Sequence, residues 1–183
     1  MDIITIITGA PGTGKTAVSA LLAARSERGV HIPSDIFYTF PAHPPPPHLP
    51  AAHAQNQAVI AAAVKAAATF ALRGYDVFLD GIFGPWFLPF IAAELAATVP
   101  SIHYMILRSP LETALGRIHG RSGHLGDDVV RQMQAEFEEC RSEYGRYGVD
   151  TESLTPKEVA EEIIRRRARG DFLLESTNIK MNP

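Results

Sequence analysis

Residues 9–16 read GAPGTGKT, an arrangement of glycine, lysine and hydroxyl suited to holding a chain of phosphates. Gly9, Gly12 and Gly14 let the backbone wrap an anion with no side chain across its amides. Ala10, Pro11 and Thr13 complete the loop. Its N–H groups and the positive end of the helix behind it together make an anion cradle. In such a loop Lys15 reaches the β- and γ-phosphates, and the Thr16 hydroxyl takes a place on Mg²⁺. The pattern has meaning only between a strand and a helix, so the elements around it decide whether it is a site.

Both are present. Residues 3–8 are β-branched and continuously apolar, as in a strand covered on both faces. A helix follows, with Val18, Leu21 and Leu22 on one side, and closes near Gly29. Short strands are expected at 30–33, 77–80, 102–107 and 148–150, with a further edge strand at 172–174. Between them, helices are expected over 51–73 (stopped by Gly74), over 88–98, after Ser109 as cap with Pro110 at the first position, and from Asp127 through Val130, Met133, Phe137 and Tyr144. Thr155-Pro156-Lys157-Glu158 reads as a capping box opening a last helix to about Arg169. Strands separated by helices imply a five-stranded parallel sheet with helices on both faces, three layers in one domain spanning 1–183. Ligands in such sheets sit beyond the carboxyl ends of the strands.

The proline-rich segment PAHPPPPHLP at 41–50 breaks this alternation, since its prolines deny helix and ladder bonds. With the residues before it, this segment makes a substrate-side loop over about 36–50. Ile36, Phe37, Tyr38, Phe83, Trp86 and Phe87 can form an apolar wall between that loop and the turn at Gly81, Gly84 and Pro85. His43, His48 and His53 have no metal-ligand spacing.

Composition narrows the partners. A net charge of -3 argues against nucleic acid. The run Arg165, Arg166, Arg167, Arg169 follows Glu158, Glu161 and Glu162 on one helix and reads as a solvated helix end. Cys140 is the only cysteine, which excludes an internal disulfide and suits packing on an amphipathic helix. No basic leader precedes the apolar 3–7, which is far too short to span a bilayer, so a cytoplasmic protein is expected.

No Asn-Lys-x-Asp base-reading motif and no LSGGQ-like signature occurs, and an AAA-type motor would need a longer chain. Through GAPGTGKT, the PSD at 33–35, VFLDGIFGP at 77–85 and VDTESLTPKEVAEEI at 149–163, the sequence resembles the P-loop small-molecule kinases. That group includes shikimate kinase, gluconate kinase, chloramphenicol phosphotransferase and zeta toxin. The resemblance implies a P-loop NTPase fold with a kinase-like lid over about 117–126. It implies transfer of the γ-phosphoryl of ATP, with Mg²⁺, to a hydroxyl of a small molecule such as an antibiotic or a sugar-like metabolite. A nucleotide-sugar or polynucleotide 5′-hydroxyl kinase is a second reading. A nucleotide-dependent switch or weak ATPase that binds a protein partner is a third.

By that resemblance, Asp35 approaches the acceptor hydroxyl, with the strand at 30–33 expected beside the phosphate-loop strand, although Asp35 also suits capping a turn after Pro33. Asp80 ends an apolar strand as the acid that holds Mg²⁺ or orients the acceptor, so either carboxylate can be the base. In the lid, Arg121 is the first choice to neutralise the transferring group, and Arg117 can share that role or stack on adenine. Arg108 is a weaker candidate. The adenine loop falls at Asp150, Thr151 and the two residues beyond, and favours ATP over GTP. Phe37, Trp86, Asp35 and Asp80 are the expected substrate contacts.

Overall fold

The computed structural model describes residues 3–96, 101–120 and 125–174. In chain order it contains β1 (Ile3–Thr8), α1 (Lys15–Arg25), β2 (Gly29–Pro33), α2 (His53–Ala71), β3 (Asp76–Asp80) and α3 (Leu88–Leu95). β4 (Ser101–Arg108), α4 (Leu111–His119), α5 (Asp127–Glu139), α6 (Arg141–Tyr144), β5 (Gly148–Asp150) and α7 (Pro156–Ala168) follow. All five strands pair in parallel, in the order β2-β3-β1-β4-β5.

Strand alternation divides the core in two. Ile4, Ile6, Val77, Leu79, Tyr104 and Ile106 point to one face, where they pack with Ile60, Val64 and Ala67 of α2 and Leu88 and Ile91 of α3. Ile7, Phe78, Met105 and Leu107 point to the other, against Val18 and Leu22 of α1 and Val159 and Ile163 of α7. A small third cluster, Leu115, Ile118 and Val130, joins α4 to α5. The result is the expected three-layer α/β arrangement.

Several details differ from the sequence reading. β2 was expected beside the phosphate-loop strand, but β3 lies there. The reason is burial: Val77, Phe78 and Leu79 are sealed on both faces, whereas β2 is half-exposed and ends in Pro33, which has no N–H to donate and suits an edge. Ser109 does not cap α4. Pro110 is the extended residue outside the helix, its carbonyl accepts from Ala114, and the Ser109 hydroxyl has no partner. α2 opens only at His53, after a 3₁₀ turn over Pro50–Ala52.

The arginine run is not simply a solvated helix end. Arg167 pairs with Asp76, and Arg166 donates to the carbonyls of Gly148 and Arg146 while lying over Phe172. The expected edge strand at 172–174 reduces to one antiparallel bridge between His103 and Leu173. The Thr155 capping box forms as read. Among the described residues no helix is long and apolar enough to cross a membrane.

Candidate functional site

The loop 9–14 leaves β1 at the centre of the sheet and enters α1. Gly9 has φ of 141°, and a Cβ there would stand 2.3 Å from the Leu107 carbonyl oxygen. Gly12 has φ of 82°, and a Cβ would meet the Ala114 carbonyl at 2.5 Å. Both need glycine for backbone conformation and for close approach to neighbouring main chain. The Thr13 hydroxyl donates to the Ala10 carbonyl at 2.9 Å, closing the loop on itself. Gly14 stands at the N-cap of α1 in left-handed geometry. Lys15 folds back, with Nζ donating to the carbonyls of Gly9 (2.8 Å) and Ala10 (3.0 Å). Its ammonium thus hangs over the mouth of the loop, where a phosphate chain would replace those carbonyls.

Asp80, at the end of β3, is buried beside this loop. Burial pushes its carboxyl above the usual range, opposed by the neighbouring Thr16 hydroxyl and by His31 and Lys15. His31 Nε2 lies 3.5 Å from Asp80 Oδ1, while Oδ2 is buried without a partner. An orphaned carboxylate oxygen next to a hydroxyl at the start of α1 is a donor pair of the hard-oxygen kind Mg²⁺ selects. These residues fit the ion. The structure brings Asp80 and Thr16 together, with His31 a neighbour that the sequence does not announce.

On the other side of the loop, Arg117 of α4 ties three segments. It donates to the Gly12 carbonyl (3.3 Å), to the Thr151 hydroxyl (3.4 Å) and to the Thr151 carbonyl (3.1 Å). Thr151 is buried and donates its hydroxyl and amide to the Arg108 carbonyl at 3.0 and 2.8 Å. The segment after β5 is thus pinned to both the phosphate loop and β4. Asp150 is exposed and, with Arg108, Arg141, Ala10 and Thr13, lines a small cavity of about 260 Å³. Burial, reinforced by Arg141, pushes the Arg108 guanidinium down from its usual value. Arg121 lies outside the described residues, as does most of the lid beyond Gly120.

Asp35 and Trp86 open onto a larger cleft of about 420 Å³. Its walls come from Ser34, Asp35 and Tyr38 after β2, from Pro47 and His48, from α2, from Phe83, Trp86 and Phe87, and from α5. Ile36, 52% exposed, does not line it, and neither does Phe37. That ring turns into the α2-side core and packs edge-on to Phe40, because the 3₁₀ turn over Ser34–Thr39 rotates Phe37 and Tyr38 to different sides. Tyr38 donates to Asn56 Oδ1 at 3.2 Å, and Asn56 Nδ2 donates to the Pro47 carbonyl at 2.8 Å. Gln55 reaches the Pro45 carbonyl at 3.1 Å. Burial and the nearby Asp35 charge push the Tyr38 hydroxyl up to about 12, so it remains a donor. The cleft floor is held at Phe83: its N–H donates to Thr8 Oγ1 at 2.9 Å, and its carbonyl accepts from the Tyr104 hydroxyl at 2.7 Å.

No family model matches the chain, and no curated protein matches it. Solved structures do. The tunicamycin resistance protein of Deinococcus radiodurans superposes with a TM-score of 0.68 at 22% identity, covering 94% of this chain and 98% of that one. Shikimate kinase from Acinetobacter baumannii, in complex with shikimate, gives 0.66 at 16% identity, with 92% and 93% covered. A gluconokinase from Sinorhizobium meliloti 1021 gives 0.64 at 16%, with 92% and 93% covered. The chain has the fold of the P-loop small-molecule kinases.

Within that kinase fold, the cleft wall supplied by α5 is the part the sequence reading did not anticipate. Val129, Gln132, Met133 and Glu136 face the cleft, while Val130 and Phe137 are buried. The signal was present as a second stripe, Gln132 and Glu136 being four residues apart on a helix whose apolar stripe had already been read.

Proposed function

We propose that this chain transfers the γ-phosphoryl group of ATP to a hydroxyl of a small molecule bound in the cleft between Asp35 and α5. The observation that carries the reading is the juxtaposition of two unlike sites at the carboxyl ends of the strands. One is a phosphate cradle with Lys15, Thr16 and a buried Asp80. The other is a half-enclosed, mainly apolar cleft with the Asp35 carboxylate on its wall. A nucleotide switch needs only the first.

In this reading the acceptor oxygen forms a bond to the γ-phosphorus as the bond from that phosphorus to the β,γ-bridging oxygen breaks, releasing ADP. The hydroxyl proton passes to Asp35. Asp80 is buried on the loop side of the sheet end and Asp35 is exposed on the cleft side, so the two acids divide the work: Asp35 serves the acceptor, and Asp80 with Thr16 holds Mg²⁺. Mg²⁺, when bound, neutralises charge on the phosphate oxygens. Lys15 exchanges the carbonyls of Gly9 and Ala10 for phosphate oxygens. Arg117 fixes the loop from outside through Gly12 and Thr151. Catalysis of this kind is mostly positioning and charge stabilisation.

The test is a screen of alcohols, sugars, nucleosides and antibiotics by coupled ADP release, with melting curves in parallel. Mg·ATP raises the melting temperature of the wild type, and Lys15→Ala removes most of that rise with the fold intact. Asp35→Asn retains the ATP-induced rise and lowers kcat by at least ~10²-fold with the acceptor found. Steady ATP consumption that no added hydroxyl compound accelerates would refute the transferase reading in favour of a weak ATPase.

A further inference from the structure

The charge of the acceptor can be read from the cleft walls, given the phosphotransferase reading above. None of the described residues lining the cleft is lysine or arginine, and its one histidine, His48, sits on the exposed proline-rich segment. Two carboxylates line it, Asp35 on the turn after β2 and Glu136 on α5. Glu136 is half-buried, and among the described residues its Oε1 accepts only from the neutral amide of Gln132, at 3.0 Å. Neither acid has a cationic partner among the described residues. An acceptor carrying a carboxylate or phosphate would meet like charge here and, among the described residues, no guanidinium or ammonium to pair with, an arrangement that desolvation makes costly.

The remaining walls favour the opposite sign. Tyr38, Phe83, Trp86 and Phe87 bring four rings to the same space, and Trp86 is 41% exposed, with its ring centroid 5.2 Å from that of Phe137 behind it. An indole held in place from behind and open in front is the best aromatic surface for a cation. Val59, Ile60, Ile82 and Met133 make the rest apolar. Carboxylates and aromatic faces select ammonium groups by independent physics, and both are found on one cleft.

We infer that the acceptor is a cationic, predominantly apolar alcohol: a hydroxylated amine, with its hydroxyl toward Asp35 and its ammonium group held between the Glu136 carboxylate and the Trp86 ring. Sugar acids, nucleotides and polynucleotide ends are disfavoured by the same walls.

Three probes with one aromatic body separate the charge states: phenylalaninol (cationic), 3-phenyl-1-propanol (neutral) and 3-phenyllactate (anionic). Their binding to the full chain is measured by calorimetry at neutral pH and low salt, with Mg²⁺ and a non-hydrolysable ATP analogue. The amine binds at least ~10-fold tighter than the neutral alcohol, and the acid binds weakest, with the preference shrinking as salt rises. Glu136→Gln brings the amine to within about threefold of the neutral alcohol and leaves the neutral alcohol unchanged. Glu136→Lys reverses the order in favour of the acid, a result that loss of folding cannot imitate. Equal or tighter binding of the acid, no measurable binding of the amine, or a preference unaltered in Glu136→Gln each overturns the inference. Phosphoryl transfer is followed separately. Selective binding of the amine, with no hydroxyl compound of the screen accelerating ADP release, sustains the charge assignment and defeats the transferase reading. Faster transfer to anionic than to cationic alcohols does the reverse.

Discussion

Tyr104→Phe removes one oxygen from the sheet core and tests how the cleft floor is held. Tyr104 is fully buried on β4, and its hydroxyl is the donor to the Phe83 carbonyl at 2.7 Å. Phe83 is itself 1% exposed, so water cannot take over when the donor is lost. Leaving a buried carbonyl unpaired costs about 1–3 kcal/mol. For a domain of this size each kcal/mol moves the melting temperature by about 2–4 °C, so Tyr104→Phe should melt roughly 2–12 °C lower. Thr8→Val attacks the same peptide from its other side, by removing the acceptor of the Phe83 N–H. Because both changes act on one residue, the double variant should lose measurably less than the sum of the singles. Calorimetric melts of the four proteins provide the numbers. The ATP-induced rise should persist in all of them, since Lys15 and Thr16 are untouched, whereas acceptor affinity should weaken. A Tyr104→Phe melt within about 1 °C of wild type would refute the reasoning, because it would place the Phe83 carbonyl in another hydrogen bond.

Three further outcomes are expected. Arg117→Ala, which frees the loop after β5 from the phosphate loop, should reduce the ATP-induced melting rise without abolishing it, in contrast to Lys15→Ala. His103 is held down to about 4 from 6.5, first by burial and then by Arg167, so the folded state binds its proton less tightly than the unfolded state does. The stability this gives is complete above pH 6.5 and lost as pH falls toward 4, by at most about 1.4 kcal/mol per pH unit, and His103→Leu should flatten the melting temperature against pH across that window. Thr155→Ala breaks both halves of the capping box on α7 and should lower stability by about 1 kcal/mol, read from urea curves, with the ATP response unchanged.

The phosphate side of the site was legible because its chemistry is written in contiguous residues: Gly9, Gly12 and Gly14 announce backbone conformations, and Lys15 and Thr16 follow at fixed offsets. Asp80 was legible because it ends a run apolar enough to be central. That same run explains the misplacement of β2. Two short strands of similar composition can exchange places on paper, and only the half-polar face of 29–33 with its terminal proline argues for the edge. The cleft was legible in outline, but two of its six expected wall residues, Ile36 and Phe37, do not line it. Whether Phe37 or Tyr38 faces ligand depends on the rotation of a 3₁₀ turn, which has no hydrophobic period long enough to read. Glu136 and Gln132 were hidden by a stronger pattern on the same helix. His31 gave no signal, since its approach to Asp80 is a contact between neighbouring strands.

The proline-rich segment has a kinetic consequence. A proline run has no amide hydrogens of its own, so its carbonyls are what it must satisfy, and those of Pro45 and Pro47 are already taken by Gln55 and Asn56 at the start of α2. Asn56 is in turn engaged by Tyr38. This wall of the cleft is therefore set when the chain folds, before any acceptor arrives. Encounter on that side needs no ordering step, and its entropic cost is not charged against each binding event. Observed association rates should then rise linearly with acceptor concentration, with no plateau from a slow rearrangement of residues 41–50.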